Sequence, residues 1–193
     1  MRFVITFLLC LLLTGCTVER IHYDIIVTEV PVGMDVLNSA YNDCNASLLF
    51  PADSTEIQFS SDRNSPGVEM ALFGSTLAFT YYEDHNVLNL SVSGSVNEKP
   101  GASCGDNEPS LMGDFKVFAI ETEGRYDLWY TKKYDNTWLE PIRLNPPVNS
   151  LYNEYNPFLF KVLGHELMVF SSDRPGGKGG YDLYIVKIGN YLN

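Results

Sequence analysis

Long apolar stretches and basic residues are both scarce in this sequence. No segment approaches the roughly 20 consecutive apolar residues of a membrane-spanning helix, and 13 Lys and Arg residues face 24 Asp and Glu residues, for a net charge of −11. Such an acidic chain repels nucleic acid, so we expect no DNA or RNA partner. Extended helical periodicity is missing as well. Short runs of strand-forming residues between Gly- and Pro-containing turns predict an all-β fold.

Catalytic and metal-binding motifs are also missing. His22, His85 and His165 lie far apart without metal-ligand spacing, and no Gly-x-Ser-x-Gly sequence occurs. The glycine-rich residues 175–180 lack the Gly-Lys-Ser/Thr ending of a phosphate loop and stand between two predicted strands. We therefore expect no catalytic residues, no metal and no cofactor, and predict that the protein is not an enzyme.

The N-terminus has the layout of an export signal. Arg2 precedes residues 3–13, a mainly apolar segment too short to span a membrane, and residues 13–16 read Leu-Thr-Gly-Cys. This ending resembles the lipobox of bacterial lipoproteins, in which the chain is cut before the cysteine and the cysteine is lipidated. The resemblance implies a signal peptide over residues 1–15 and lipid attachment at Cys16, with an ordinary signal peptide as the alternative.

The mature chain contains an internal repeat. Residues 38–63 align with residues 149–174 without a gap, and 11 of the 26 positions are identical. Both copies end in Phe-Ser-Ser-Asp-Arg. A second signature, Tyr-Asp-Ile or Tyr-Asp-Leu, begins at Tyr23, Tyr126 and Tyr181. The sequence of each unit predicts a short strand, a tight turn, a buried strand, a polar loop and a Tyr-Asp strand. A unit of this length is the size of a four-stranded propeller blade.

Residues 168–187 (MVFSSDRPGGKGGYDLYIVK) and 126–157 resemble the WD-like propeller repeats of the TolB family, which occur in envelope proteins of Bacteroidetes-type bacteria. The resemblance is weak over residues 64–105. It implies three antiparallel blades over residues 38–193, or four if residues 64–79 open another blade. Residues 16–37 then form a tether with a closing strand, and Tyr23, Asp24 and Ile25 are expected to complete the last blade.

Three blades are too few for a closed ring, because propellers have four to eight. We therefore predict a partial propeller whose uncovered faces are completed by a second copy or by another envelope protein. Two copies would supply six blades, the number in TolB-type propellers.

The recurring polar residues have two interpretations. Asp62, Arg63, Asp173 and Arg174 follow buried strands, where a carboxylate can accept turn N–H groups and the arginine can pair with a neighbouring blade. Tyr126, Asp127, Tyr181 and Asp182 begin the Tyr-Asp strands. A ligand site is one interpretation. Recurrence in successive repeats favours the other, a structural role.

Two cysteines remain once Cys16 is lipidated. Cys44 and Cys104 both precede the first strand of a repeat, and an exported compartment permits a disulfide between them. Two unlinked thiols are the alternative.

The resemblance implies a non-enzymatic, lipid-anchored protein-interaction platform in the bacterial envelope, at the outer membrane. Carbohydrate capture by the aromatic, acidic surface is the main alternative, and a propeller glycosidase remnant is a weaker one.

Overall fold

The computed structural model describes residues 23–49, 53–102 and 109–192, and these residues form three antiparallel β-sheets. The predicted signal peptide and Cys16 lie outside the described residues. In chain order the strands are β1 (Tyr23–Val27), β2 (Val32–Gly33), β3 (Asp43–Leu49), β4 (Ser54–Ser61), β5 (Ala71–Tyr82), β6 (Val87–Ala102), β7 (Ser110–Met112), β8 (Phe115–Thr122), β9 (Arg125–Tyr134), β10 (Thr137–Trp138), β11 (Ile142–Arg143), β12 (Glu154–Val162), β13 (His165–Ser172) and β14 (Asp182–Lys187). The all-β prediction is confirmed.

Helical structure in the described part of the chain is limited to one 3-10 turn, Gly189–Tyr191. No helix within these residues is long and apolar enough to cross a membrane.

The first sheet has the order β1-β6-β5-β4-β3. In β4, Ile57 and Phe59 are fully buried, whereas Glu56 and Gln58 lie on the opposite, partly exposed face. Side chains of a strand point alternately to the two faces, so this pattern marks a sheet with one covered face. Residues 64–79 open no further sheet, because β5 pairs along β4 as the third strand of the first sheet. The described residues therefore form three sheets and not four.

The second sheet has the order β10-β9-β8-β7, and β11 also pairs with β9. Both β10 and β11 lie along the same edge of β9, so they form one interrupted outer strand. The sequence predicts a single strand near residues 138–144, and the structure divides it around Pro141, because proline cannot donate a ladder hydrogen bond.

The third sheet has the order β12-β13-β14-β2. Residues 167–170 of β13 are apolar without interruption and fully buried. A continuous apolar run of this length is typical of a strand covered on both faces. Its hairpin with β12 turns at Leu163 and Gly164, both with positive φ, the backbone form that suits a two-residue hairpin.

The prediction that Tyr23, Asp24 and Ile25 complete the last repeat is wrong. Their strand, β1, pairs with β6 at the outer edge of the first sheet. The third sheet is instead completed by β2, which pairs with β14. An N-terminal strand therefore does complete the last repeat, but it lies later in the chain than expected. Side-chain burial explains why β1 joins the first sheet and not the third, since Val27 of β1 pairs with Leu88 of β6 and both are buried.

Two hydrophobic clusters place the third sheet between the other two. One cluster joins the first sheet to one face of the third, through residues such as Phe79 and Phe160, whose ring centroids are 5.8 Å apart. The other joins the second sheet to the opposite face of the third, around Leu128 and Phe170. Among the described residues, neither cluster joins the first sheet to the second.

The segment that leads from β2 to β3 is part of the first cluster, since Met34 and Leu37 are fully buried. Replacing Leu37 by Ala should lower the free energy of unfolding by about 2–5 kcal/mol, because a buried leucine leaves a cavity. Val68 is 86% exposed, so Val68→Ala should change it by less than about 0.5 kcal/mol. Urea denaturation followed by circular dichroism measures both. Similar losses in the two variants would contradict this packing.

Candidate functional site

Each copy of the repeated motif is built around a buried carboxylate. In the first copy, residues 38–63, Asp43 is fully buried and accepts hydrogen bonds from the backbone and hydroxyl of Ser39. Its other oxygen accepts one from Arg63, at 2.6 Å. The same guanidinium donates to the Leu37 carbonyl at 2.6 Å and lies over the Phe59 ring. One arginine thus compensates the buried charge and fixes the segment between β2 and β3.

The second copy, residues 149–174, repeats this network. Glu154 is fully buried and accepts from Ser150 and, at 3.0 Å, from Arg174. Arg174 donates to the Val148 carbonyl at 2.6 Å and lies over Phe170. In both copies the arginine pairs with a carboxylate of its own sheet. The prediction that it pairs with a neighbouring blade is therefore wrong, because a buried carboxylate within the same sheet lies closer to it.

The aspartates before these arginines organise the connections. Asp62 accepts from the backbone and side chain of Asn42 and from Gly67 N. Asp173 holds Asn153 in the same way. These bonds lower the pKa of Asp62 although burial acts to raise it. Both aspartates accept backbone N–H groups, as turn carboxylates do.

Amide side chains tie successive sheets together. Asn38 donates to Leu183 O and accepts from Leu183 N, at 3.0 and 2.8 Å. Asn149 binds both backbone groups of Leu128, at 2.7 and 2.8 Å. A buried amide that bonds to both backbone groups of a strand residue in this way fixes the position of that strand.

The tyrosines of the Tyr-Asp signature lie together. Tyr126 and Tyr181 both contact Tyr155, with ring centroids 4.3 and 5.5 Å from its own. Burial, with a smaller contribution from nearby acidic groups, raises the pKa of Tyr181 to about 12. Tyr23 begins β1, the strand that pairs with β6 in the first sheet.

The aspartates of the second and third Tyr-Asp signatures, Asp127 and Asp182, have different partners. Asp127, in the second sheet, is 2% exposed and accepts from Nε and an NH2 of Arg143, at 2.9 and 2.7 Å. Arg125 adds a longer bond of 3.3 Å. Burial acts to raise the pKa of Asp127, but the two arginines lower it overall.

Asp182 takes the same place in the third sheet without an arginine. The repeat offset places Val32 at the position of Arg143. Asp182 Oδ2 accepts hydrogen bonds from the backbone N–H groups of Lys178 and Gly179. Asp182 Oδ1 is buried with no hydrogen-bond partner among the described residues. Burial therefore raises the pKa of Asp182.

A glycine-rich loop closes over the copy in which the Tyr-Asp aspartate, Asp182, has no arginine partner. Residues 175–180 connect β13 to β14, and Lys178 Nζ reaches the Asp35 carbonyl at 2.6 Å. Gly180 N donates to the Tyr41 carbonyl. A Cβ at Gly179 would overlap the Tyr41 backbone, so only glycine permits this approach.

The arginine-rich copy is open. Its corresponding connection, from β8 to β9, is a tight turn at Glu123 and Gly124, both with positive φ. The open space is a cleft of about 690 Å³, referred to below as the arginine cleft. Its lining consists of Arg125, Arg143, Pro146, Pro147, Asn149, Ser150, Leu151, Tyr152, Arg174 and Pro175.

Sequence reasoning found Arg174 but missed the rest of this cleft. Arg143 lies six positions before the aligned window (149 − 143 = 6), and Arg125 lies beside a turn. The signal was present in the constant repeat offset, which pairs Arg143 with Val32 and so exposes the difference between the two copies.

The cysteines and histidines singled out in the sequence form no metal-binding cluster among the described residues. Cys44 is half-buried in β3, but Cys104 lies outside the described residues, so their disulfide stays a prediction. His165 contacts Tyr81, and burial lowers its pKa. Within residues 23–49, 53–102 and 109–192, no group of three or more His, Cys, Asp or Glu could hold a metal ion.

Comparisons of the chain with protein-family models, with curated proteins and with solved structures find no match. The repeat and the contacts above are therefore the basis for assigning a function.

The two aspartates should respond oppositely to pH. Asp127→Asn should cost about 1–3 kcal/mol at pH 7, less than for a fully buried pair because Arg143 is 36% exposed. A lowered pKa gives stability above the unfolded-state pKa that is lost as pH falls, so this cost should shrink toward acid.

Asp182 provides the matched case. Its raised pKa means that stability is full below the unfolded-state pKa and is lost as pH rises through the folded-state pKa. Asp182→Asn should therefore gain stability relative to the unmodified chain between pH 4 and pH 8. Urea titrations over this range measure both variants, and parallel pH profiles would contradict the assignment.

Proposed function

We propose that this chain is a non-enzymatic, lipid-anchored protein-interaction module of the bacterial envelope, built from TolB-like propeller repeats. The order of the sheets supports the repeat assignment. The segment from β2 to β3 links the third sheet to the first in the same way that the segment from β11 to β12 links the second sheet to the third. Such a link from an outer strand to the next inner strand is how propeller blades follow one another.

The outer face of the second sheet is the observation that carries the proposed function. Phe118 pairs with Trp129 across β8 and β9, as Phe170 pairs with Tyr184 across β13 and β14. The two pairs therefore occupy equivalent positions in the second and third sheets. Phe170 and Tyr184 are buried in the cluster shared with the second sheet. Phe118 and Trp129 face away from that cluster and are only partly buried. Repeat positions that are buried in the third sheet are therefore only partly buried in the second, which favours a docked partner.

The charge of this face indicates the partner's chemistry. Register places the cations Lys116, Arg125, Lys133 and Arg143 on it, together with the single acidic residue Asp127. An acidic protein surface with apolar residues would complement it. Self-docking through this face would bring like charges together, so we propose a different envelope protein as the partner.

The position of two lysine ammonium groups beside the Trp138 ring favours protein docking over carbohydrate capture. The ammonium groups of Lys116 and Lys133 lie 4.7 and 6.0 Å from its ring centroid. A sugar needs an open aromatic face for stacking, whereas a cation-covered ring suits a mixed protein interface.

Leu111 tests the docking face. It is 59% exposed and lies opposite Lys116. Leu111→Glu should reduce affinity for the partner about tenfold or more, because it sets a charge in a desolvated contact. Val68→Glu, at an 86% exposed residue of the first sheet's connection from β4 to β5, is the control.

The full chains are cross-linked in cells, purified in detergent, and compared by quantitative mass spectrometry. The partner should be recovered with the unmodified chain and with Val68→Glu, but not with Leu111→Glu. Equal recovery with both variants would exclude this face. Recovery of the chain itself as the main product would replace the partner by a second copy.

Anchoring is tested separately. Cys16→Ala should abolish incorporation of labelled fatty acid and leave the precursor uncut, since the acyl chains on this residue supply the membrane affinity. Cys10→Ala is the matched control, because Cys10 lies within the predicted signal peptide. Unchanged labelling in Cys16→Ala would refute lipidation at this residue.

A further inference from the structure

We infer that the arginine cleft binds an acidic peptide segment, in the position that the chain's own glycine-rich loop fills at the other copy of the motif. This inference rests on the proposed function, since it names part of the partner's chemistry.

The two positions are structurally equivalent. The constant offset equates residues 34–42 with residues 145–153, and each segment leads from the outer strand of one sheet to the inner strand of the next. Tyr41 corresponds to Tyr152 and Asp35 to Pro146. Tyr152 and Pro146 line the cleft, whereas Tyr41 and Asp35 are contacted by the glycine-rich loop. A peptide chain is therefore what this architecture accommodates, and one copy already holds one.

The peptide at the filled copy is cationic, and its surroundings are acidic. Lys178 extends from the loop to the Asp35 carbonyl. The carboxyl groups of Asp35 and Asp43 act on Asp182, raising its pKa in addition to the larger effect of burial. Outside the loop, Arg63 alone among the described residues of this copy sets a positive charge against these three carboxyl groups. The loop thus brings a second positive charge to an excess of acidic groups, as charge complementarity requires.

The charge is reversed at the open copy. Arg125, Arg143 and Arg174 line the cleft, and their carboxylate partners are Asp127 and Glu154. Three guanidinium groups therefore face two carboxylates in a chain whose net charge is −11. A peptide that fills this copy should be acidic for the same reason that the loop at the other copy is basic.

Arg125 supplies an unused donor. Its Nε is buried, and no acceptor among the described residues receives a hydrogen bond from it. A buried donor without a partner is costly, and a carboxylate would satisfy it with a charge-assisted hydrogen bond. Arg125 also lines the cleft, so its guanidinium lies close to an incoming acidic side chain.

The remaining walls select the residues beside that acid. Pro146, Pro147, Leu151 and Pro175 line the cleft, and Leu151 is 82% exposed. Such walls favour apolar neighbours of the acidic side chain. The expected ligand is therefore an extended segment in which acidic and apolar residues alternate.

The probe is a fluorescein-labelled hexapeptide amide of alternating Leu and Glu, titrated with the full chain in non-ionic detergent and followed by fluorescence anisotropy. A Leu–Gln hexapeptide has similar apolar content without charge and controls for uptake by micelles. We expect the Leu–Glu peptide to bind about tenfold more tightly or better, and its affinity to fall with added salt. Equal affinity for the two peptides would overturn the inference.

Leu151 offers a matched pair of variants, because its exposed side chain is not needed for folding. Leu151→Glu should abolish the preference for the Leu–Glu peptide, whereas Leu151→Lys should retain or increase it. Val68→Glu adds the same charge to the connection between β4 and β5, which does not line the cleft, and this variant should bind the peptides as the unmodified protein does. Loss of binding in Leu151→Lys as well, or no loss in Leu151→Glu, would count against an electrostatic site in this cleft.

The same variants separate this inference from the proposed function. Leu111 and the cleft lie at opposite ends of the second sheet, since Leu111 pairs with Lys116 and Lys116 with Thr131, six positions beyond Arg125 along β9 (131 − 125 = 6). If the cellular partner is lost with Leu111→Glu but kept with Leu151→Glu, and the peptides bind equally, the docking face stands and the cleft inference fails.

Discussion

The fold depends on the compensation of buried acidic side chains at the points where one sheet leads to the next. Asp43 and Glu154 are fully buried, and a carboxylate in such a position is tolerated only with a charged partner and a filled hydrogen-bond shell. Arg63 and Arg174 supply both, and the same guanidinium groups hold the Leu37 and Val148 carbonyls and cover core aromatic rings. Because one arginine links an inner strand, a connecting segment and the core, the connection cannot shift independently of the sheet. The recurrence of Ser-Asp-Arg in the sequence follows from this constraint, since serine hydroxyls at positions 61 and 172 also accept from the arginine Nε.

The repeat made most of the strand pattern predictable, because each residue shared by the two copies has a local structural task. Asn45 and Asn156, for example, adopt positive φ at matching β-bulges, a conformation that asparagine tolerates better than most residues. The partner of the N-terminal strand was not predictable in this way. Tyr23–Val27 is a short run of strand-forming residues, and both the first and the third sheet offered an edge to it. The strand that does complete the third sheet, Val32–Gly33, is only two residues long and carries no periodic signal.

The candidate site could be predicted only where it coincided with the repeat. Asp62, Asp173 and their arginines stood out because they recur, and recurrence by itself favours a structural role. The arginine cleft depends instead on what does not recur. Arg143 corresponds to Val32, and a two-residue turn at Glu123 and Gly124 replaces the long glycine-rich loop. Differences between aligned copies carry no hydrophobic period and no motif, so they acquire meaning only when the fold shows that the two positions are equivalent.

Duplication explains how a structural motif can acquire a binding role without loss of stability. Each copy keeps its own buried carboxylate–arginine pair, so the two connections are held independently of what lies above them. In the copy closed by the loop, Asp182 is buried without a cation, and the two backbone N–H groups of the loop are its hydrogen-bond donors. In the open copy, Arg143 of the second sheet donates two hydrogen bonds to the equivalent Asp127. A covering loop is therefore not needed to supply donors to this carboxylate. Once the aspartate is satisfied in this way, the space above it is free for a peptide supplied from outside, and Arg125 remains with a donor that such a peptide can use.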